Sequence, residues 1–489
     1  MLNLRCLVIA PIWQVVLAIC VGVTYLCNRE FFMEAVNFSL QPPYYHYVLY
    51  KKTMYWSKYN ILSHSAKFGY LLYNTISQSF IRIDENDIGE WNELKDNPDH
   101  YLKYQNHEYL LKNRIIVHNQ EDELNVYTTE ILKNRYNPID MALTILPTRG
   151  CNFDCVYCYE QDRPNIHMDK QTEDNIIKFL KTNPYLRRLN VIWYGGEPLL
   201  NFASIVRLTE EFKSMGIEYS SKIITNGYLL SHEICGELER LKIDSIQITL
   251  DGIKDIHDQR RPLVSRKGSY DKIIQNVKYL LSVNSKIRID IRSNIDKRNS
   301  AEYHIFFKQI HEELASDRIR TYPGFVSDLT ANECVSPEFD ISSPGFKADF
   351  VLDNFYKHNI AIDAFHPKYR RHSCVASKYF AFVIGPQGEL YKCWRMVGND
   401  EQTVGNVNNL TGINLKLISK YMVGADYLFD PECKECSYIA ICGGGCALSR
   451  MRNKYKGSNK TPCCPEKTHM AKLLELRYEM YLKLTGAKG

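Results

Sequence analysis

Three cysteines, Cys151, Cys155 and Cys158, fall in CxxxCxxC spacing within TILPTRGCNFDCVYCYEQ. Three soft thiolates on one short loop can hold three irons of a 4Fe-4S cube and leave the fourth iron open to a ligand that is not protein. An open iron does chemistry rather than store electrons. A zinc knuckle is the alternative, but zinc usually draws paired CxxC elements and a fourth protein ligand, and no further cysteine lies nearby. Downstream, Tyr194-Gly195-Gly196-Glu197-Pro198 supplies two glycines, which let a backbone approach a ligand closely, and a carboxylate that can pair with an ammonium. Eight more cysteines cluster between 374 and 464. Cys374 is followed by 13 residues, Gly388, four residues and Cys393; Cys433, Cys436, Cys442 and Cys446 then form CxxCxxxxxCxxxC, and Cys463 and Cys464 close the series. A disulfide scaffold suits an oxidising compartment, whereas a pair of structural zincs is the nearer rival for CxxC elements. Cys6, Cys20, Cys27, Cys235 and Cys334 fall outside every pattern and read as small hydrophobes.

The elements that must position these residues form three blocks. Residues 54–140 alternate short apolar runs with charged stretches and read as a small α+β unit. Residues 141–358 repeat strand and helix. The strands are MALTILP, LNVIWYG, KIITNG, SIQITLDG, IRIDIRS and IRTYPGF, which implies an α/β fold with a parallel sheet. With six such units and no Gly-rich dinucleotide fingerprint after the first strand, a partial (β/α)6 barrel of the TIM type is expected rather than a Rossmann sheet. The CxxxCxxC loop then stands at the C-terminal end of the first barrel strand, where such barrels keep their active sites. Residues 359–489 are cysteine-rich and end in an amphipathic helix over roughly Pro465–Leu484.

The chain has 489 residues, 45% hydrophobic and 24% charged, enough for two or three domains with their own cores and too apolar to be disordered. Its net charge of +5 gives no argument for nucleic acid. The stretch Leu7–Leu26 carries no formal charge and is long enough to span a bilayer. It reads as an anchor, as a signal peptide lacking a clear cleavage site, or as part of an extension (1–53) upstream of a working protein whose globular patterning begins at Met54.

The motifs resemble those of the radical S-adenosylmethionine (SAM) superfamily, whose mark is CxxxCx(aromatic)C, with Tyr157 at the aromatic position. The GGEP segment falls in the family's register, after the second barrel strand. The resemblance implies that the open iron chelates S-adenosylmethionine and that electron transfer yields a 5'-deoxyadenosyl radical. It also implies that Gly195, Gly196 and Glu197 contact the cosubstrate. Asn226 in Thr225-Asn226-Gly227, and Thr249-Leu250-Asp251-Gly252 followed by His257-Asp258 and Arg260-Arg261, resemble the stretch SLDGxxxxHDxxR of the peptide-modifying subgroup. By that resemblance Thr249 and one of Arg260 and Arg261 would contact the cosubstrate, with Arg292 and Asn294 as further candidates.

The C-terminal cysteines resemble the seven-cysteine pattern of the SPASM iron-sulfur domain. By resemblance a nearer auxiliary 4Fe-4S cluster is held by Cys374, Cys393 and Cys446, and a farther one by Cys433, Cys436, Cys442 and Cys463. Cys464 is then left over, to exchange with Cys463, complete the nearer cube or simply pack. An open iron on the nearer cluster would be available to a substrate thiolate. The resemblance implies a peptide or protein substrate and a flavodoxin- or ferredoxin-type electron donor in a reducing cytoplasm, with no nucleic-acid partner and a membrane only if residues 7–26 are an anchor. Two substrates compete: a precursor peptide, or a sulfatase whose Cys or Ser becomes formylglycine. Residues 54–140 faintly resemble the small domain by which peptide maturases grip a leader as an added strand, which favours the peptide. The non-enzymatic alternative is an iron-sulfur electron carrier or scaffold.

Overall fold

The computed structural model describes residues 7–9, 53–160, 164–326, 344–362, 367–370 and 374–486. Three antiparallel strands, β3 (Asn60–Ser65), β4 (Gly69–Asn74) and β5 (Phe80–Ile83), form the N-terminal sheet, with β1 (Leu7–Ile9) against the outer side of β5; β2 (Tyr55–Trp56) pairs separately with β6 (Ile116–Val117). Gly69 makes the β3–β4 turn possible: its φ is +75°, and a Cβ there would lie 2.7 Å from the Ile83 carbonyl oxygen. The beginning of the Leu7–Leu26 stretch is therefore strand rather than membrane helix. The rest of that stretch, with Cys6, Cys20, Cys27 and Cys334, lies outside the described residues. Among the described residues no helix is long and apolar enough to cross a membrane.

Alternation along β4 sends its side chains to two faces, and both are buried. Leu72 joins Ile81, Trp91 and Leu94 in the unit's own core. Leu71 and Tyr73, with Phe80, pack instead against Ile441, Leu474 and Tyr478 of the cysteine-rich block. The N-terminal unit is thus seated on the C-terminal one. Further ties join them: Thr75 Oγ1 donates to the Ser437 carbonyl at 2.7 Å, the Tyr127 and Tyr427 hydroxyls are 2.9 Å apart, and Arg135 pairs with Asp426 at 2.8 Å, both only 2% exposed. That last pair holds the end of helix Gln120–Arg135.

The six expected strands are present and parallel: β7 (Asp140–Ile145), β8 (Arg188–Trp193), β9 (Glu218–Thr225), β10 (Ile243–Thr249), β11 (Arg288–Ile295) and β12 (Ile319–Phe325). They follow one another in sheet order, and β12 does not close onto β7, so the barrel is partial. Helices such as Lys170–Lys181, Phe202–Ser214 and Tyr270–Val283 cover the outside, burying one apolar stripe each. The free side of β7 is taken by β13 (Ala381–Ile384), parallel to it, followed antiparallel by β14 (Glu389–Tyr391) and β15 (Thr403–Asn406). The cysteine-rich block therefore begins as an extension of the barrel sheet, which carries Cys393 to the barrel's edge. The closing helix is Met470–Thr485. Cys235 is buried, as expected of a small hydrophobe.

Candidate active site

Strand β7 ends at Ile145, and the chain turns through Thr148–Gly150 into the cysteine loop. The GGEP segment holds this turn from behind. A Cβ at Gly195, whose φ is +131°, would lie 2.3 Å from the Thr148 carbonyl oxygen, and one at Gly196 would lie 2.2 Å from that of Gly150. The Glu197 amide donates to the same Gly150 carbonyl at 2.8 Å. The close approach that the glycines permit is thus to the cysteine loop's own backbone, a different reason from the ligand contact expected from sequence.

Glu197 is fully buried, and its carboxylate accepts three hydrogen bonds: from the Leu199 amide at 3.1 Å, Thr225 Oγ1 at 2.7 Å and the Asn226 amide at 2.8 Å. Burial pushes its pKa up to about 7, against the pull of those donors. Glu197 therefore ties the end of β8 to the end of β9 and stands behind the cavity rather than in its wall. Asn226 continues the tie forward, donating from Nδ2 to Asn152 Oδ1 at 2.7 Å. From the other side, the segment after β10 is stitched to the loop: the amides of Asp154 and Val156 donate to the carbonyls of Pro262 and Arg260, at 2.9 and 3.1 Å.

The aromatic position between the last two cysteines is pinned by the barrel. The Tyr157 hydroxyl accepts from Arg261 Nη1 at 2.6 Å and from Asn294 Nδ2 at 2.9 Å. Of the two adjacent arginines, Arg261 lines the cavity, while Arg260 lies beneath it, bound to Asp296 at 2.6 Å and to Asp251 at 3.4 Å, with its guanidinium 5.1 Å from the Tyr157 ring centre. The His257 ring bonds Ser269 at 3.0 Å and is wholly buried, so this part of the HDxxR stretch is architecture.

The result is a cavity of about 260 Å³ with Cys151, Cys155 and Cys158 at one end. Asn226, Thr249, Arg292, Gly195 and Gly196 lie in its wall, as does Tyr157. Sequence reasoning missed Lys222 and Gln247, deeper in the barrel, and Tyr159, Tyr194 and Trp394 at the junction with the cysteine-rich block. The deeper pair was legible in principle, as polar residues inside strands that should be apolar on both faces. The aromatic group was not, because it forms across chain segments: the Tyr159 and Tyr194 hydroxyls bond each other, and the Tyr194 and Trp394 ring centres are 5.5 Å apart.

The donor set fits an iron-sulfur cluster. Burial, with Glu197 behind it, pushes the Cys151 thiol up to about 12, so a thiolate at Cys151 needs a cationic partner. No described cysteine is in a disulfide. In the C-terminal block, Cys374, Cys393 and Cys446 lie close enough to influence one another's charge. A second group gathers around Lys467, whose ammonium feels Cys436, Cys442, Cys463 and Cys464. Cys433 joins it through Cys442 and accepts from Arg450 at 3.5 Å. Within this group the buried Cys464 sets its thiol against the Cys442 sulfur, whereas Cys463 is exposed. The resemblance names Cys463 for this group, with Cys464 able to exchange with it, complete the nearer cube or pack.

Residues 145–296 match the family described as the radical SAM superfamily. The chain is similar to a cysteine-type anaerobic sulfatase-maturating enzyme of Clostridium novyi, 24% identical over 66% of this chain and 92% of that one. It is equally similar to the radical SAM cyclopropyl synthase TigE of Paramaledivibacter caminithermalis, 24% identical over 70% of this chain and 75% of that one. Its fold matches the solved structure of native anSMEcpe with bound AdoMet and Cp18Cys peptide, with a TM-score of 0.53 at 18% identity over 71% of this chain and 99% of that one. A cysteine loop at the mouth of an open parallel barrel, backed by GGEP and followed by a SPASM-type cysteine series, agrees with these likenesses, and the chain is an enzyme whose residues 145–296 carry the radical SAM domain.

Proposed function

We propose that this enzyme modifies a side chain of a ribosomally made peptide whose leader it grips at the free edge of β3. The observation that carries the peptide reading is the N-terminal sheet: among the described strands β3 pairs with β4 alone, leaving one edge open to strand addition. When bound to the cysteine loop, a 4Fe-4S cluster with S-adenosylmethionine supplies a 5'-deoxyadenosyl radical, which takes hydrogen from an unactivated C–H. Cys151, Cys155 and Cys158 hold the cluster. Arg261, Asn226, Thr249 and Arg292 offer polar groups to the cosubstrate, and Glu197 and Arg260 keep the walls that carry them in place. Phe325, Val326 and Trp394 exclude water from the cavity.

In the cysteine-rich block we assign Cys374, Cys393 and Cys446 to a nearer auxiliary cluster, and Cys433, Cys436, Cys442 and Cys464 to a farther one. A flavodoxin- or ferredoxin-type protein is the electron donor. Formylglycine formation in a sulfatase is the second reading, favoured by the likeness to the Clostridium novyi enzyme over 92% of its length. Anaerobic reduction with S-adenosylmethionine should release 5'-deoxyadenosine; none would sink the radical reading in favour of a carrier. If a neighbouring reading frame encodes a short precursor peptide, adding that peptide should protect the amides of Asn60–Ser65 from hydrogen exchange. Turnover of a sulfatase peptide with no such protection would transfer the assignment to the second reading.

A further inference from the structure

Beside the farther group of cysteines lies a surface that the cavity does not use. The short helix Leu415–Ser419 runs into a π turn, Lys420–Gly424, which packs against the helix Ala447–Lys456. The Ala425 amide closes this turn on the Lys420 carbonyl at 2.8 Å, and the turn leaves Val423 in solvent while Tyr421 and Met422 are buried. Tyr455 lies alongside, its hydroxyl over Gly424, where a Cβ would not fit, and the Lys420 ammonium stands 5.1 Å from its ring centre. Phe429 belongs to the segment 425–430, which Arg450 clasps at both ends: Nε donates to the Ala425 carbonyl at 3.0 Å, and the guanidinium pairs with Asp430. Val423, Phe429 and Tyr455 are 46%, 50% and 38% exposed, a group of apolar side chains open to solvent together.

The charge around this group has one sign. The packed elements contribute Lys416, Lys420, Arg450, Arg452, Lys454 and Lys456 and no Asp or Glu. Acids at the margin are already paired, Asp430 with Arg450 and Glu401 with Lys456 at 3.3 Å. Lys454 donates to the Gly424 carbonyl, and neither it nor Lys416 nor Lys420 has a carboxylate partner among the described residues. Arg450 also leads to the cysteines: its Nη1 donates to the Cys433 sulfur at 3.5 Å. One side chain therefore spans the distance between this face and a cysteine of the farther group. An apolar centre within a basic rim suits brief association with an acidic protein, because the rim steers the encounter and the centre seats it.

We infer that the face formed by Lys416, Lys420, Val423, Phe429, Lys454 and Tyr455 docks a small acidic electron-carrier protein, and that electrons enter the chain at the farther cluster. In each transfer the carrier's reduced centre loses one electron and the farther cluster gains it, with no bond made or broken. The inference rests on the assignment of Cys433, Cys436, Cys442 and Cys464 to that cluster and on a flavodoxin- or ferredoxin-type donor. An anionic membrane is the other partner that a basic, aromatic face attracts, but it gives no reason for the face to lie one side chain from Cys433.

The test uses the full chain, anaerobically reconstituted, with a reduced acidic flavodoxin as the probe. Carbodiimide coupling joins carboxylates of the flavodoxin to lysines in contact with them, and mass spectrometry locates the joints without requiring turnover. Coupling should fall on Lys416, Lys420 or Lys454 and fade at about 1 M salt, where the Debye length is about 3 Å. In stopped flow, oxidation of the flavin should be about tenfold slower with the double variant Lys416→Glu/Lys420→Glu and unchanged with Lys286→Glu on the barrel. Reduced methyl viologen, a cation, should reduce the double variant at least as fast as the unaltered chain. Coupling elsewhere, no coupling, or an unslowed double variant overturns the docking face. So does sedimentation with phosphatidylglycerol vesicles in place of coupling, which would make the face a membrane contact. If the double variant fails to take up iron, the coupling map of the unaltered chain decides. Iron content is scored separately: coupling at this face by a chain that lacks the farther cluster keeps the face and removes the cluster assignment, and full iron with coupling elsewhere does the reverse.

Discussion

Glu197 and Asn226 meet at the back of the active site, where the carboxylate of one accepts the amide hydrogen of the other at 2.8 Å, wholly out of solvent. Through this bond the GGEP turn and the end of β9 become one rigid wall, and Asn226 passes the constraint to the cysteine loop through Asn152. Removing the carboxylate leaves three buried donors without their acceptor, which costs about 3 kcal/mol or more. Glu197→Ala should therefore lower the melting temperature of the cluster-free chain as well as weaken cosubstrate binding. Glu197→Gln, which keeps an acceptor, should recover most of the stability. If Glu197→Ala melts like the unaltered chain and only binding suffers, the carboxylate faces the ligand and not the wall.

The neighbours Cys463 and Cys464 should separate cleanly by iron content. With three 4Fe-4S cubes the reconstituted chain carries about 12 irons. Because Cys464 is the buried one, with its thiol against Cys442, Cys464→Ala should lose about four irons while Cys463→Ala keeps all of them. The reverse pattern in iron analysis would restore the assignment that the resemblance implies.

Deleting the N-terminal unit should damage the other end of the chain. A chain beginning at Asn137 uncovers Ile441, Leu474 and Tyr478 and removes Arg135, which leaves Asp426 buried without its cation; breaking such a pair costs about 3–5 kcal/mol. The expected outcome is aggregation, together with loss of the farther cluster's iron. A soluble truncated protein with its full iron content would show that the two units are only loosely joined.

Glu123 provides a pH-dependent contribution away from any cysteine. Ser57 Oγ donates to one of its oxygens at 2.8 Å, the other has no hydrogen-bond partner among the described residues, and burial raises its pKa to about 7. The folded chain holds this proton more tightly than the unfolded chain, whose carboxyl titrates near the ordinary value of about 4.3. The resulting stabilisation is complete below that value and is lost as pH rises to about 7, an effect on the order of 3 kcal/mol. Comparing urea midpoints of the cluster-free chain from pH 5 to 7.5, Glu123→Gln should remove this decline. An unchanged slope would place the titration elsewhere.

By itself the sequence determined the covalent spacings and the periodic elements. CxxxCxxC, GGEP and the SPASM-like cysteine series are local in the chain, and six alternating strand and helix units were legible because each buries a regular apolar pattern. What lies between distant segments was decided by the tertiary structure. Spacing could not choose between Cys463 and Cys464, since adjacent residues differ by which way the backbone turns, and the fold turns Cys464 inward. Nor could it choose between Arg260 and Arg261, which point to different layers of the barrel. Glu197 looked like a ligand contact because its partners, Thr225 and Asn226, are remote in sequence. The second buried face of the N-terminal sheet was hidden for the same reason: the unbroken apolar run Tyr70–Tyr73 of β4 is consistent with cover on both faces, but only the folded chain brings Leu474 and Tyr478 against one of them.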